Sequence, residues 1–334
     1  MRFAKLTLTT RRFPGLVATG LAVLALSACS SSSLPTLTGF AAVRDQAART
    51  ESAASDRATQ LAEVATDCAS CSAALRAVAA ASDERLEALG GLWDPWGGTP
   101  PEGASAPAAV SEAPTDVSAF VAWLARTATR DLEIAADTNR TSADEARTLS
   151  AAALGRYASA VTIAQAYGID LDAGLDQALL VNDRVNAASR QGVQTWSIDL
   201  FDAPGISASF APSGKDLASS QELSSAVATW DCTASTLPQA QVSAGTLSDA
   251  YAVSGELLTR ADTALRAGAA DTRTPRCTLG FLDAPSLASN LLAADSAMLA
   301  SNSSDVRSAG ASAALADIQQ WAPRTSLPAL IGTR

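Results

Sequence analysis

The sequence predicts an all-α protein of about eight helices, packed as one large antiparallel bundle or as two bundles. Small and apolar residues recur at helical spacing along most of the chain. Of its 334 residues, 75 are alanine, the residue with the highest helix propensity. Helical spacing fails at 193–215, where a few apolar residues alternate with polar ones. We therefore predict an irregular connection there, between helical regions.

The first two helices are predicted between residues 38 and 91. A small or apolar residue recurs at every seventh position from Phe40 to Cys68, which is typical of one face of a long helix. A second helix has an apolar stripe and ends at Gly90–Gly91, because glycine is favoured just beyond a helix C-terminus. The polar stretch 82–85 of this helix is expected to be a solvated face. Its apolar stripe consists of Leu75, Val78, Leu86 and Leu89.

Three further helices are predicted after a Pro/Gly/Ala linker at 97–114, which has no helical periodicity. Thr115 or Asp116 caps the third helix. Ser142 and Glu145 have the spacing of a capping box at the start of the fourth helix, which ends at Gly168. The fifth helix runs to Gly192 and begins at the acidic residues after 169, because acidic side chains suit a helix N-terminus. The connections among these three helices are short, so we expect antiparallel neighbours.

The rest of the chain is predicted to form a C-terminal helical region, 216–334. A second capping box, Ser219 to Glu222, begins a helix that reaches Cys232. Further helices are predicted near 247–265, 285–300 and 304–321. The complete division is a signal peptide at 1–28, a tether at 29–37, an N-terminal bundle at 38–192, the irregular connection at 193–215, and this last region.

The N-terminus has the three parts of an export signal in order. Basic residues come first, an apolar stretch runs from Leu16 to Leu26, and small residues precede Cys29. The apolar stretch is shorter than the roughly 20 residues that span a bilayer. The sequence Leu26-Ser27-Ala28-Cys29 resembles the lipobox of bacterial lipoproteins.

This resemblance implies cleavage before Cys29 and attachment of a diacylglycerol, with acyl chains such as palmitate, to that residue. The protein would then be extracytoplasmic and anchored to the cell membrane, with an envelope protein as a further partner. Its alanine-rich helical pattern is similar to that of uncharacterised lipoproteins of high-GC bacteria, some of which have ferritin-like helical domains. An ordinary secretory signal, in which Cys29 carries no lipid, is the alternative.

Four cysteines remain after Cys29, an even number that indicates two disulfides in an exported chain. Four cysteines allow three connectivities. We favour Cys68 with Cys71, which are close enough in sequence to pair at a helix end, and Cys232 with Cys277. A redox dithiol is the alternative for the first pair. We favour a structural bridge, because no strand precedes the motif and no βαβ pattern is found.

Composition excludes several kinds of chemistry. The chain has no histidine, so it cannot carry a Ser-His-Asp triad or a histidine-ligated metal. Its formal charge of −10 and its two lysines argue against nucleic-acid binding. We therefore predict no cofactor, no metal site and no nucleic-acid partner.

Pairs of carboxylate side chains are the main candidates for catalytic groups in this sequence. The pairs are Asp131 with Glu133, Asp144 with Glu145, and Asp170 with Asp172. Each is expected near a helix end or on a polar face, where acidic residues are common without function. No catalytic residue is assigned.

Trp93 and Trp96 are the remaining candidates, because they flank Asp94-Pro95 beside the linker, where no helical stripe requires them. They either plug an open end of the bundle or form a platform for an apolar or sugar-like ligand. The sequence thus predicts a non-enzymatic binding or scaffold module of the cell envelope. The alternative is a solute receptor or an envelope enzyme that uses carboxylates.

Overall fold

The architecture comes from a computed structural model that describes residues 37–99, 101–102, 104, 109–171, 210–244, 249–277 and 283–333. Within these ranges the fold is all-α, as predicted, with eight α-helices and no strand. A single 3₁₀ turn, Leu217–Ser219, precedes the fifth helix. The helices are α1 Gly39–Val64, α2 Ala69–Ala88, α3 Val117–Ala136, α4 Ala143–Tyr167, α5 Gln221–Ala244, α6 Ala250–Arg266, α7 Ala284–Met298 and α8 Ser304–Trp321.

Local capping signals set the bounds of α3 and α4. Asp116 accepts a hydrogen bond from the backbone N–H of Ala119, so it caps α3. The predicted capping box at α4 is confirmed, with Ser142 and Glu145 each accepting a backbone N–H bond from the other. At the other end, Gly168 has a φ of +64°, the left-handed conformation that lets a glycine terminate a helix.

The second predicted capping box is wrong by one residue. Ser220, not Ser219, accepts the hydrogen bond from the backbone N–H of Leu223 at 3.1 Å. Ser219 belongs to the preceding 3₁₀ turn, and its hydroxyl donates to the carbonyl of Asp216. Ser220 is the first residue after this turn, and its extended backbone suits a capping residue.

Several predicted elements lie outside the described residues. They are the signal peptide with Cys29, most of the predicted fifth helix at 170–192, and most of the connection at 193–215. The linker at 97–114 contains no helix where it is described. Its end is fixed to α1, because Arg57 Nε donates to the carbonyl of the buried Ala113 at 2.9 Å.

The helices pack around two main apolar cores. Helices α1 to α4 pair as α1 with α2 and α3 with α4, and the short connection 137–142 makes α3 and α4 antiparallel. Their core also takes in Leu315 and Ile318 of α8. The second core surrounds Trp230 of α5 and Trp321 of α8. Helix α8 therefore contributes to both cores and joins the two predicted helical regions.

After α8 the chain continues as a segment of turns and bends, residues 322–333, which we call the C-terminal strap. The N–H of Ile331 donates to the carbonyl of Ala151 on α4 at 3.2 Å. At Gly155 a side chain would meet the strap directly, since a Cβ there would lie 1.8 Å from Ala329 O. The close approach of strap and helix therefore depends on this glycine. None of the described helices is both long enough and apolar enough to cross a membrane.

Candidate functional site

The two tryptophans singled out in the sequence lie on one loop, residues 90–98, which we call the aromatic loop. It follows α2 and is bracketed by glycines at both ends with positive φ values. Both rings are half-buried, and Leu92 beside them is 42% exposed. The loop thus presents apolar groups at the surface next to α1.

The backbone of the aromatic loop is held in place by carboxylates. The N–H of Trp93 donates to Asp45 Oδ1 at 2.9 Å, and Asp45 is 4% exposed. The other oxygen of Asp45 accepts from Arg49 Nε at 2.7 Å. Asp94 accepts from the N–H of Trp96 at 2.9 Å, which forms a turn. Hydrogen bonds to α1 and within the loop therefore hold the backbone that carries both rings.

Neither ring belongs to a core. Trp93 and Trp96 are absent from all three clusters of buried apolar residues and from the half-buried residues packed on them. Trp123 differs, because it packs on the first core and stacks on Phe120 with ring centroids 6.1 Å apart. The indole N–H of Trp96 is shielded from solvent and has no acceptor in the described part of the chain.

A buried charge network lies between the first four helices, and each helix supplies one member. Glu51 of α1 accepts from Arg85 Nε of α2 at 2.9 Å and from Arg156 Nε of α4 at 2.8 Å. Arg156 also donates to Asp131 of α3 at 2.7 Å. The side chains are 0–2% exposed. These two carboxylates and two guanidinium groups therefore pair out of contact with water. Arg130 of α3, outside this set of four, also donates to Asp131, at 2.8 Å.

The two arginines of this network differ electrostatically. Burial lowers the pKa of Arg85, and its single carboxylate partner, Glu51, does not fully compensate. Burial also opposes the charge of Arg156, but Glu51 and Asp131 together raise its pKa above the ordinary value. Arg85 is therefore the less well compensated cation, and its remaining hydrogen bonds go to the hydroxyls of Ser82 and Ser159.

Carboxylates inside a four-helix arrangement are also what di-metal bundles use. Here the neutralising charge comes from arginine. In the part of the chain that the structure describes, no three His, Cys, Asp or Glu side chains come close enough to hold a metal ion. The arrangement suits a fixed scaffold rather than a reactive centre.

Two sequence predictions are wrong at this network. The stretch 82–85 is a solvated face only in part, because residues 83–84 are exposed but Ser82 and Arg85 are completely buried. Asp131 does not lie on a polar face either, since it is 1% exposed. One signal was available: Glu51 lies four residues after Ala47 and three before Ala54, on the apolar face of α1.

The other carboxylate candidates do not converge on a site. Asp144 forms an exposed pair with Arg147, and Glu145 completes the capping box of α4. Glu133 is half-buried, Asp170 is exposed, and Asp172 lies outside the described residues.

A second buried cluster joins α5, α6, α7 and α8. The indole N–H of Trp230 donates to Asp295 Oδ1 at 2.9 Å. Arg260 lies over the Trp230 ring and donates to Asp317 Oδ1 at 2.7 Å, whereas its nearest contact with Asp295 is 3.8 Å. No local sequence pattern indicated this cluster, because its members come from four separate helices.

The two carboxyl groups of this cluster compete for one positive charge. Burial, together with the neighbouring Asp317, raises the pKa of Asp295 well above its ordinary value. Arg260 is hydrogen-bonded to Asp317 and lies farther from Asp295. The raised pKa favours the protonated form of Asp295, which relieves the competition for this one cation.

Both predicted cysteine pairs lie at disulfide distance. Cys68 and Cys71 have Cα atoms 5.2 Å apart at the start of α2. Cys232, on α5, and Cys277, beyond α6, have Cα atoms 5.7 Å apart.

A groove of about 440 Å³ runs between α2, α4 and the C-terminal strap. Alanines form much of its wall, and Arg85 and Ser159 lie at its base. Ser159 already accepts from Arg85 and donates to the carbonyl of Gly155. These polar groups are thus engaged with each other rather than turned towards a ligand.

No protein-family model, no curated protein and no solved structure matches the chain.

Proposed function

We propose that the protein is a membrane-anchored, extracytoplasmic lipoprotein that acts by binding, without catalysis, and that the aromatic loop is its contact surface. The lipobox and Cys29 support the anchor. The helical body would be a rigid support that holds the loop away from the membrane. A partner in the cell envelope would bind the loop through an apolar or sugar-like group.

The position of Trp93 and Trp96 is the observation that carries this proposal. Both rings are half-buried outside the cores, while the backbone below them is hydrogen-bonded to Asp45 and Asp94. A pre-positioned aromatic surface loses little conformational entropy on binding, so its contact area contributes efficiently to affinity.

The enzyme alternative is less well supported. Asp131 is neutralised by arginine, and Glu145 is engaged in a helix cap. A carboxylate that works as an acid or base needs access to a substrate. The most perturbed carboxyl group, Asp295, is completely buried.

The test compares three alanine variants in two assays. Binding of the mature, unlipidated chain to isolated envelopes of the source bacterium is measured by co-sedimentation. Melting is followed by circular dichroism. Trp93→Ala and Trp96→Ala are expected to reduce binding and to change the melting temperature little. Trp123→Ala is the control, because Trp123 packs on the core: it should lower the melting temperature and leave binding intact.

Two results would contradict the proposal. If Trp93→Ala and Trp96→Ala lower the melting temperature as much as Trp123→Ala and leave binding intact, the rings are structural plugs. If the purified protein turns over a substrate, and one carboxylate substitution abolishes that turnover, the protein is an enzyme.

A further inference from the structure

The two sulfur atoms of the Cys68–Cys71 disulfide differ in accessibility. Cys68 is the N-cap residue of α2 and is half-exposed, whereas Cys71 is 3% exposed. Thiol–disulfide exchange requires an attacking thiolate to reach one of the sulfurs. Attack from solvent is therefore open at Cys68 and blocked at Cys71.

Each sulfur also has a partner that suits the reduced state. The backbone N–H of Cys71 donates to Cys68 Sγ at 3.2 Å, and the hydroxyl of Ser70 lies 3.4 Å from the same atom. Together with the N-terminus of a 20-residue helix, these donors stabilise a thiolate at Cys68. The carbonyl oxygen of Ala166 lies 3.4 Å from Cys71 Sγ, where it can accept a thiol proton.

A purely structural role is weaker for this disulfide than for the other. The stabilisation by a disulfide increases with the length of the loop that it closes. Cys68 and Cys71 are three positions apart, in a helical turn that Ser72 N–H already closes on the carbonyl of Cys68 at 3.0 Å. Cys232 and Cys277 are 45 positions apart and join α5 to the segment that follows α6.

We propose that Cys68–Cys71 is not the structural bridge favoured from the sequence but an exchange-active disulfide that oxidises an external dithiol, whereas Cys232–Cys277 is structural. This site is separate from the aromatic loop. The thiolate of the external dithiol attacks Cys68 Sγ and forms a mixed disulfide. The Cys68–Cys71 bond breaks, and Cys71 leaves as a thiolate that takes up a proton.

The second external thiol, as a thiolate, then attacks its own partner sulfur in the mixed disulfide and releases the Cys68 thiolate. The external dithiol has become a disulfide. The protein has gained two electrons, and two protons once both of its cysteines are protonated.

The first test uses the intact native protein with dithiothreitol as the external dithiol. Samples are quenched with iodoacetamide and mapped by mass spectrometry. We expect Cys68–Cys71 to open at least about tenfold faster than Cys232–Cys277, and Cys68 to be alkylated before Cys71. Equal opening rates, earlier opening of Cys232–Cys277, or earlier alkylation of Cys71 would overturn the proposal.

The second test uses Cys71→Ser and Cys68→Ser, which remove the same disulfide but leave different free thiols. Each variant is incubated with oxidised glutathione under native conditions. Cys71→Ser is expected to form a mixed disulfide at Cys68, while Cys68→Ser reacts far more slowly because Cys71 is buried. Both variants lack the disulfide, and melting curves measure the resulting loss of stability separately from the reactivity of each thiol. Equal modification of the two variants would show that the sulfurs do not have distinct roles.

Discussion

Glu51→Gln is the sharpest perturbation of the buried charge network. Arg156 keeps Asp131 as a partner, but Arg85 loses the carboxylate to which it is hydrogen-bonded and remains a buried cation among hydroxyl groups. Removing one partner of a buried ion pair costs about 3–5 kcal/mol. In a chain of this size, that loss lowers the melting temperature by roughly 4–7 °C. Thermal unfolding followed by circular dichroism measures it.

Two further variants test the reasoning. Adding Arg85→Met to Glu51→Gln removes the unpaired cation, so we expect the double variant to recover part of the lost stability. Arg147→Gln is the surface control, because its partner Asp144 is 91% exposed; it should cost less than about 1 kcal/mol. A loss for Glu51→Gln as small as this control, or a double variant that is less stable than Glu51→Gln alone, would refute the proposed role of Arg85.

Three other perturbations have expected outcomes. Because its pKa is raised in the folded state, Asp295 contributes stability that is present at low pH and is lost as pH rises through that raised pKa. In urea titrations, the free energy of unfolding of Asp295→Asn should therefore fall less than that of the wild type between about pH 4 and pH 7. At pH 7, Asp295→Asn should also be tolerated better than Asp317→Asn. The reverse order would contradict a protonated Asp295. Gly155→Ala should lower the free energy of unfolding by about 1–3 kcal/mol and expose the strap to proteolysis. The control is Gly255→Ala, which has open space around it and should stabilise α6 by up to about 1 kcal/mol. Equal melting temperatures of the two variants would rule out the tight contact at the strap. Cys29→Ala should release the protein from membranes without changing its circular dichroism spectrum, and a variant that still sediments with membranes would disprove the lipid anchor.

Helix positions were predictable because their signals are local. Asp116, Ser142 and Gly168 act within a few residues of the helix ends that they define. The capping box near residue 220 was misplaced because two adjacent serines satisfy the same pattern, and only the 3₁₀ turn before the helix distinguishes them.

Burial of charge was not predictable in the same way. Arg85 has the sequence context of a surface residue, and its burial depends on Glu51, which lies 34 residues away on another helix. Asp295 and Asp317 come together only through the packing of α7 against α8. The sequence could single out Trp93 and Trp96, because no helical stripe required them. It could not show that Asp45 fixes the loop, since that hydrogen bond spans 48 residues.

Site-specific photo-crosslinking in intact cells tests the central claim most directly, that the anchored protein binds a partner through the aromatic loop. A photoreactive phenylalanine analogue is placed at position 92, where the native leucine is 42% exposed, and in a second strain at Tyr251, which is 71% exposed on α6. The account predicts a discrete crosslinked product from position 92 that is absent from position 251 and is lost on Trp96→Ala. No product from position 92, or identical products from both positions, would contradict it.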